Sequence, residues 1–341
     1  KGRDFYALRT KKKVNNRTIG HFLTHVVNNF SNEKATVNVI DFSNVKSRKL
    51  TLYNDIITSK KEGETGFGFR SQFNYKPTNL SRRSGSLLYF DDRLMLNDFG
   101  YLKRNDWFHL GAGTDISKIN FKDGSQIKEF KFGIDLNYDS DVSGNSNPVK
   151  IGQKNEFVFL DSSEFQFTWD FKSSGKDTTI TRKNINFPYV KTKRSLSFNL
   201  DYESPSYGFW EYDWRIGYEN AEKYNSFDSE GYERRFAKIA GSLYPIDDFK
   251  LGYSLRVREE DEWLNWLKDN ELAIYDLTQK IFSINMNWYS GTKHEIRLKS
   301  QFVALEALNP KSLIVDSSGY LLNHNSEVKA FSEGITSFQI R

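Results

Sequence analysis

The chain has 341 residues, with 28 Phe, 18 Tyr and no Cys. Its mean hydropathy is −0.66, and 27% of its residues are charged. Disordered segments are poor in aromatic residues, and a membrane-spanning helix needs about 18 consecutive apolar residues, which this sequence lacks. The absence of Cys excludes a disulfide framework and thiolate metal sites. What remains is a folded chain that is both aromatic and polar.

The charge is balanced rather than concentrated. Lys and Arg total 49 against 44 Asp and Glu, which gives a net charge of +5. The basic residues occur in short clusters along the chain, whereas a nucleic-acid-binding domain gathers them on one face. We therefore predict no nucleic-acid partner. The clusters are expected to be solvated, or to contact lipid phosphates if the chain lies in a membrane.

Apolar and polar residues alternate in a series of segments, and this period of two predicts β-strands. The clearest segment is 210–219, where aromatic and aliphatic residues occupy every second position and Glu211, Asp213 and Arg215 lie between them. A helix would scatter these aromatic residues around its whole circumference. In chain order, the main segments with this pattern are 67–75, 130–138, 165–171, 196–202, 210–219, 249–257, 282–288 and 296–302.

The length of the alternating segments distinguishes two kinds of β-protein. Counting them gives about 14 strands of about 9–11 residues, the length that a tilted strand needs to cross a bilayer. Strands of soluble sandwiches are shorter, at about 5–6 residues. The sequence therefore predicts an all-β fold, a transmembrane antiparallel β-barrel, as a single domain over residues 1–341. A soluble or secreted β-protein, with its aromatic face packed on a second sheet, is the alternative.

Candidate functional residues follow from this fold. Glu211, Asp213 and Arg215 are predicted to face the lumen, where they would solvate the interior and, in an open barrel, set a weak ion preference because their signs are mixed. Asp98, Arg104 and Trp107 belong to a stretch, 97–107, that interrupts the alternation. We predict that this stretch is either an ordinary loop with aromatic residues at the membrane interface or a loop folded into the lumen as a constriction or plug.

A second aromatic stretch follows the charged run 256–262. Trp263 and Trp266 are predicted to lie where a strand enters a loop, either as aromatic residues at the membrane interface or as a sugar-binding lip. The second interpretation rests on the stacking of indole rings on pyranose rings. Together with Asp98, Arg104 and Trp107, these two residues are the loop and ligand candidates.

Catalytic and metal chemistry find little support in the sequence. His21 and His25 share a strand face, but no third ligand stands at a suitable spacing. Asp106 lies near His109, and Ser300 lies on the strand of His294, but neither pair is part of a recognisable motif. We therefore predict no catalytic residues, no metal and no cofactor, and that the chain is not an enzyme.

Several segments resemble one family of membrane proteins. They are 97–107 (NDFGYLKRNDW), 244–249 (YPIDDF), 293–302 (KHEIRLKSQF) and 337–341 (SFQIR). Together they resemble an outer-membrane β-barrel family of unknown function, whose barrel typically follows a domain similar to a family-nine carbohydrate-binding module. The resemblance implies a location in the outer membrane of a Gram-negative bacterium. Such barrels have an upstream domain and further closing strands, so we expect this chain to be truncated at one or both ends.

These observations predict a porin-like channel, or a membrane anchor for an upstream carbohydrate-binding domain. Two alternatives remain open: an outer-membrane enzyme with its active site at the extracellular lip, and the soluble β-protein. The expected partners are outer-membrane lipid and lipopolysaccharide, with carbohydrate and other envelope proteins as further candidates.

Overall fold

A computed structural model describes residues 3–29, 33–47, 49–96, 105–181, 186, 189–221, 232–291 and 294–340. The regular structure of these residues consists of β-strands in antiparallel pairs, which confirms the predicted all-β antiparallel fold class. None of the described residues belongs to a helix long and apolar enough to span a membrane. The chain divides into two compact units, the first formed by 1–116 and 133–151 and the second by 117–132 and 152–341.

The first unit is a meander of antiparallel strands, in which the first seven strands of the chain pair with their neighbours in sequence. A left-handed Asn15, with φ of 53°, makes the tight turn between the first two strands, where the sequence has Asn15-Asn16. The strands are β1 (Arg3–Val14), β2 (Arg17–Asn28), β3 (Glu33–Ser47), β4 (Leu50–Lys61), β5 (Glu64–Thr78), β6 (Ser81–Phe90) and β7 (Trp107–Lys118), followed by β8 (Ile127–Ser140), which has residues in both units.

The strands of the second unit also form antiparallel pairs, mostly between strands that follow one another in the chain. β10 pairs with β13, each strand from β13 to β18 pairs with the next, β18 also pairs with β19 and β20, and β11 and β12 form a small separate sheet. Its strands are β9 (Lys150–Phe159), β10 (Glu164–Lys172), β11 (Gly175–Asp177), β12 (Val190–Thr192), β13 (Ser195–Glu203), β14 (Trp210–Ala221), β15 (Tyr232–Ile246), β16 (Phe249–Lys268), β17 (Glu271–Ser290), β18 (His294–Val315), β19 (Leu321–Asn323) and β20 (Phe331–Ile340).

The described residues contain 20 strands, more than the alternation predicted, and β16, β17 and β18 are 20, 20 and 22 residues long. Three of the strands, β11, β12 and β19, have three residues each and are too short to show an alternation in the sequence. The length of β16, β17 and β18 has a different, local cause. Register shifts interrupt the β16–β17 pairing between Glu260 and Trp263, and the β17–β18 pairing between Ile274 and Asp276. A bulge adds a residue and reverses the phase of the alternation, so a continuing strand reads in the sequence as a strand end.

The register of the first unit separates an apolar face from a polar face. One row across β3, β4, β5, β6 and β7 joins Ile40, Ile56, Phe69, Tyr89 and Phe108. The next row, one residue along, faces the opposite side and joins Asp41, Asp55, Arg70, Leu88 and His109. Ile40 and Ile56 are 51% and 45% exposed, so the apolar face is the open one.

The second unit has the same two faces. Across β13, β14 and β15, Leu200, Ile216 and Ala237 form an apolar row, and the adjacent positions Asp201, Arg215 and Lys238 form a polar row. Ile216 is 54% exposed. Alternation predicted this separation along each strand, and the strand register aligns it from strand to strand.

Candidate functional site

The polar face of the second unit holds the three residues predicted to face a lumen, and each has a partner of complementary chemistry. Glu211 Oε1 accepts a hydrogen bond from Tyr244 Oη at 2.6 Å and lies 3.7 Å from Lys250 Nζ. Lys238 Nζ donates to Asp213 Oδ2 at 2.6 Å. Arg215 pairs with Asp201 on the neighbouring strand. The three charged side chains are therefore held in fixed ion pairs.

An open pocket of about 610 Å³ lies on this polar face. Carboxylates, ammonium groups and amides line it together, and no single charge dominates. Its charged and amide residues include Glu211, Asp213, Lys238, Lys250, Asn285 and Asn287. Such a lining suits small hydrophilic solutes or water better than an apolar ligand.

A longer chain of ion pairs joins side chains of four strands of the same unit. Glu219 on β14 accepts from Lys172 on β10 and from Arg234 on β15, both at 2.9 Å. Arg234 also binds Glu260 on β16 through two parallel hydrogen bonds of 3.0 Å. Arg258 joins the same carboxylate. The polar face is thus a connected network rather than a set of isolated charges.

The polar face of the first unit also carries cross-strand ion pairs. Arg9 on β1 pairs with Asp41 on β3, and Gly20 of the intervening β2 leaves the space that this contact needs. Arg70 Nε donates to Asp55 Oδ2 at 2.6 Å. In both units, charged side chains of the polar face are therefore paired across strands.

Residues 91–96, which follow β6, fold back on the polar face of the first unit. Leu94 is fully buried, and packs with Phe90 and with Val37 and Ile57 of the neighbouring strands. Gly66 and Gly68 make the contact possible, since a Cβ at Gly68 would lie 2.8 Å from Phe90 Cδ1. The sequence predicted a loop over 97–107 with two possible positions. Asp98 and Arg104 lie outside the described residues. Residues 91–96, which precede the predicted loop in the sequence, cover part of the polar face.

Trp263 and Trp266 are in β16, not in a loop. The Trp263 ring lies 5.9 Å from the ring of Tyr275, and Trp266 Nε1 donates to the carbonyl oxygen of Asp269 at 3.1 Å. Both rings pack against buried clusters at the ends of β16, β17 and β18. Partly buried rings of this kind stabilise the extended strand ends.

Three residues of the first unit form a hydrogen-bonded chain that the sequence did not reveal. His109 Nε2 lies 3.1 Å from Ser86 Oγ, and His109 Nδ1 lies 2.9 Å from Asp139 Oδ1. The side chains of His109 and Asp139 are 20% and 28% exposed. A nucleophile, a base and an orienting carboxylate in this order are the elements of a serine-hydrolase triad.

This arrangement overturns the prediction that the chain is not an enzyme. That prediction depended on the absence of a Ser–His–Asp constellation, because Asp106 was the acid considered for His109. Asp106 instead accepts a hydrogen bond from the backbone N–H of Val142 at 2.7 Å. The residues that do meet come from three strands: Ser86 and His109 are 23 positions apart in the sequence, and His109 and Asp139 are 30 positions apart. No local sequence signal marks such a set.

Trp107 was predicted as a loop residue, and it begins β7. Its Nε1 donates to Asp139 Oδ1 at 2.7 Å, the same oxygen that faces His109. Its ring also meets Phe90 edge to face, with centroids 6.3 Å apart. Trp107 therefore fixes the Asp139 carboxylate at the border between the apolar cluster around Leu94 and the polar face.

Comparison with known proteins gives a limited result. No protein-family model and no curated protein match the chain. Solved structures that are similar include three of OmpT, an outer-membrane protein of Vibrio cholerae: one expressed in the outer membrane, one folded in vitro and one folded in vitro in a trimer form. Their identities are 12%, 11% and 13%, with TM-scores of 0.36, 0.38 and 0.37. The matches cover 99% of this chain in each case, and 97%, 97% and 99% of the other chains.

Proposed function

We propose that the chain is a β-barrel of the outer membrane of a Gram-negative bacterium, and that its polar face lines a passage for small hydrophilic solutes. One observation carries the proposal: on strand after strand, the exposed face is apolar and the opposite face is charged. A soluble sheet has the reverse pattern, with its apolar face covered by a second layer. A lipid environment stabilises an uncovered apolar face of this kind.

Aromatic residues at a strand end support a membrane interface. Around the turn between β13 and β14, the rings of Tyr207, Trp210 and Tyr212 form a stack with centroids 5.2 Å apart, and Phe209 is 62% exposed. Aromatic girdles of transmembrane barrels lie at this level, where rings contact both acyl chains and headgroups.

The polar face supports transport of water-soluble molecules. Its charges have both signs and are paired, so a passage lined by them attracts neither cations nor anions strongly. The 610 Å³ pocket at Glu211 and Asp213 is a point of contact for a solute in transit. We therefore expect a general diffusion path with weak ion preference.

The first experiment tests the membrane assignment. The full chain is refolded into detergent micelles and into lipid vesicles, and the protein is run on gels with and without heating. We expect solubility only with detergent or lipid, and a shift of the folded band on heating. A stable monomer in plain buffer would support the soluble β-protein and overturn the proposal.

The second experiment tests the passage in planar lipid bilayers. We expect stepwise conductance with weak selectivity. The double variant Glu211→Gln/Asp213→Asn removes two negative charges from the polar face and should move the reversal potential towards anion preference. The control variant Asp123→Asn/Asp161→Asn removes two charges from exposed segments between strands and should change it less. An inserted, folded protein that conducts nothing would overturn the channel and leave the membrane-anchor function.

A further inference from the structure

The chain formed by Ser86, His109 and Asp139 has a defined direction. An ionised carboxylate only accepts hydrogen bonds, so the contact of 2.9 Å requires that His109 Nδ1 carries the ring proton. In the neutral imidazole, Nε2 is then an acceptor, and Ser86 Oγ, at 3.1 Å, donates its proton to it. This is the tautomer and the orientation that a general base needs in order to take a proton from a serine.

A glycine makes the contact possible. Gly111 is the residue directly opposite Ser86 on β7, two positions from His109. A Cβ at this position would lie 2.6 Å from Ser86 Oγ and 3.0 Å from His109 Nε2. The space left by the missing side chain is the space in which Ser86 and His109 meet. Asp139 is held from the other side by Trp107 Nε1 at 2.7 Å, so the three residues are fixed at both ends.

We propose that Ser86, His109 and Asp139 form a hydrolytic site for carboxylic esters with a short apolar acyl group. Ser86 Oγ bonds to the ester carbonyl carbon while its proton passes to His109 Nε2, and the carbonyl electron pair moves to oxygen. The tetrahedral intermediate then expels the alcohol oxygen, which takes the proton from Nε2 and leaves an acyl-serine. Water attacks the acyl carbon, with Nε2 again as the base, and the carboxylic acid leaves as Ser86 regains its proton. Asp139 stays ionised and stabilises the imidazolium.

The surroundings favour this substrate class. Leu88 lies directly opposite His109 in register, and with Trp107 it borders the apolar cluster around Leu94. An acyl chain can lie along this border while the alcohol part remains on the polar face. Backbone N–H groups of the strands are engaged in pairing, so side chains have to stabilise the developing oxyanion. The exposed amide of Gln72, directly opposite Ser86 on β5, is the donor that the register supplies.

The test uses the refolded full chain in detergent micelles, with p-nitrophenyl butyrate as substrate and a fluorophosphonate as a covalent probe of an activated serine. We expect hydrolysis, and a phosphonyl adduct located on Ser86 by mass spectrometry. Ser86→Ala should abolish the adduct, and Ser86→Ala and His109→Gln should each lower the rate by at least about 100-fold.

Ser84→Ala is the matched control, because Ser84 lies two residues away on the same strand and the same face, where Gly113 rather than His109 is its neighbour in register. It should keep the rate within about twofold and retain labelling at Ser86. Heat-dependent gel mobility verifies folding of every variant. A folded wild type that neither hydrolyses the ester nor takes up the probe overturns the proposal, as does equal hydrolysis by Ser86→Ala. Conductance of Ser86→Ala in bilayers should remain unchanged. A failure of the proposed hydrolytic site can therefore be distinguished from a failure of the proposed channel.

Discussion

Arg234 on β15 and Glu260 on β16 face each other across the strand pair, and two parallel hydrogen bonds of 3.0 Å join them. The Glu260 side chain is 4% exposed and that of Arg234 is 32% exposed. Planar guanidinium and carboxylate groups match in this geometry, which fixes the relative register of the two strands as well as their charge.

Arg234→Gln should therefore destabilise the protein, because it leaves the buried Glu260 carboxylate with less compensation. We expect the free energy of unfolding to fall by about 2–3 kcal/mol, less than the range of about 3–5 kcal/mol for breaking a fully buried pair, since Arg234 is partly exposed. Denaturant unfolding in detergent micelles measures this. Arg235→Gln is the control: Arg235 pairs with Glu233 but is 65% exposed, so solvent screens this pair and its loss should cost clearly less than the loss of Arg234. Equal costs for the two variants would contradict the role of the buried pair.

The apolar face provides a test of its surroundings. In lipid, Ile216→Arg should lower the free energy of unfolding by about 2–4 kcal/mol, because a charge then replaces an apolar side chain at bilayer depth. In water the same substitution at a residue that is 54% exposed would change it by no more than about 0.5 kcal/mol. Gln301→Arg, on the polar face of β18, is the control and should be tolerated. Unfolding of the vesicle-inserted protein measures the stability of both variants. An Ile216→Arg variant as stable as the wild type would argue against lipid at this face.

The segment 91–96 should be bound firmly to the polar face of the first unit. Leu94→Ala removes a fully buried side chain and leaves a cavity among Val37, Ile57 and Phe90, so we expect a loss of about 2–4 kcal/mol. Met95→Ala changes the neighbouring residue, which is 41% exposed, and should cost less than about 1 kcal/mol. Denaturant unfolding distinguishes the two. A Leu94→Ala variant as stable as the wild type would mean that this contact contributes little.

Gly111→Ala should separate Ser86 from His109 without unfolding the protein. The added methyl group meets the ends of three side chains, Ser86, His109 and Asn137, which can move aside at modest cost. We expect the rate of ester hydrolysis to fall by at least about 10-fold, since the base would no longer reach the serine. Gly252→Ala is the control, because nothing lies closer than 3.8 Å to its added Cβ. Heat-dependent gel mobility should be unchanged in both variants, and a wild-type rate in Gly111→Ala would contradict the role of the glycine.

Particular residues show which features of the fold could be predicted from the sequence. The alternation around Trp210 placed Glu211, Asp213 and Arg215 on one side of a strand, and the structure places them on the polar face. It did not show that β16 continues through Trp263 and Trp266, because the register shift after Glu260 changes the phase of the pattern. The strand count was too low in part because β11, β12 and β19, of three residues each, are too short to show an alternation.

Sequence by itself determined the strand type and the two faces of each strand, because side chains alternate sides in every extended chain whatever its neighbours. Only the tertiary structure decided which residues meet across strands. Ser86, His109 and Asp139 come together because the pairing register sets Ser86 beside Gly111 and brings His109 to the same face. Register depends on turns, bulges and packing over the whole strand pair, so the residue pattern of one strand does not determine the register.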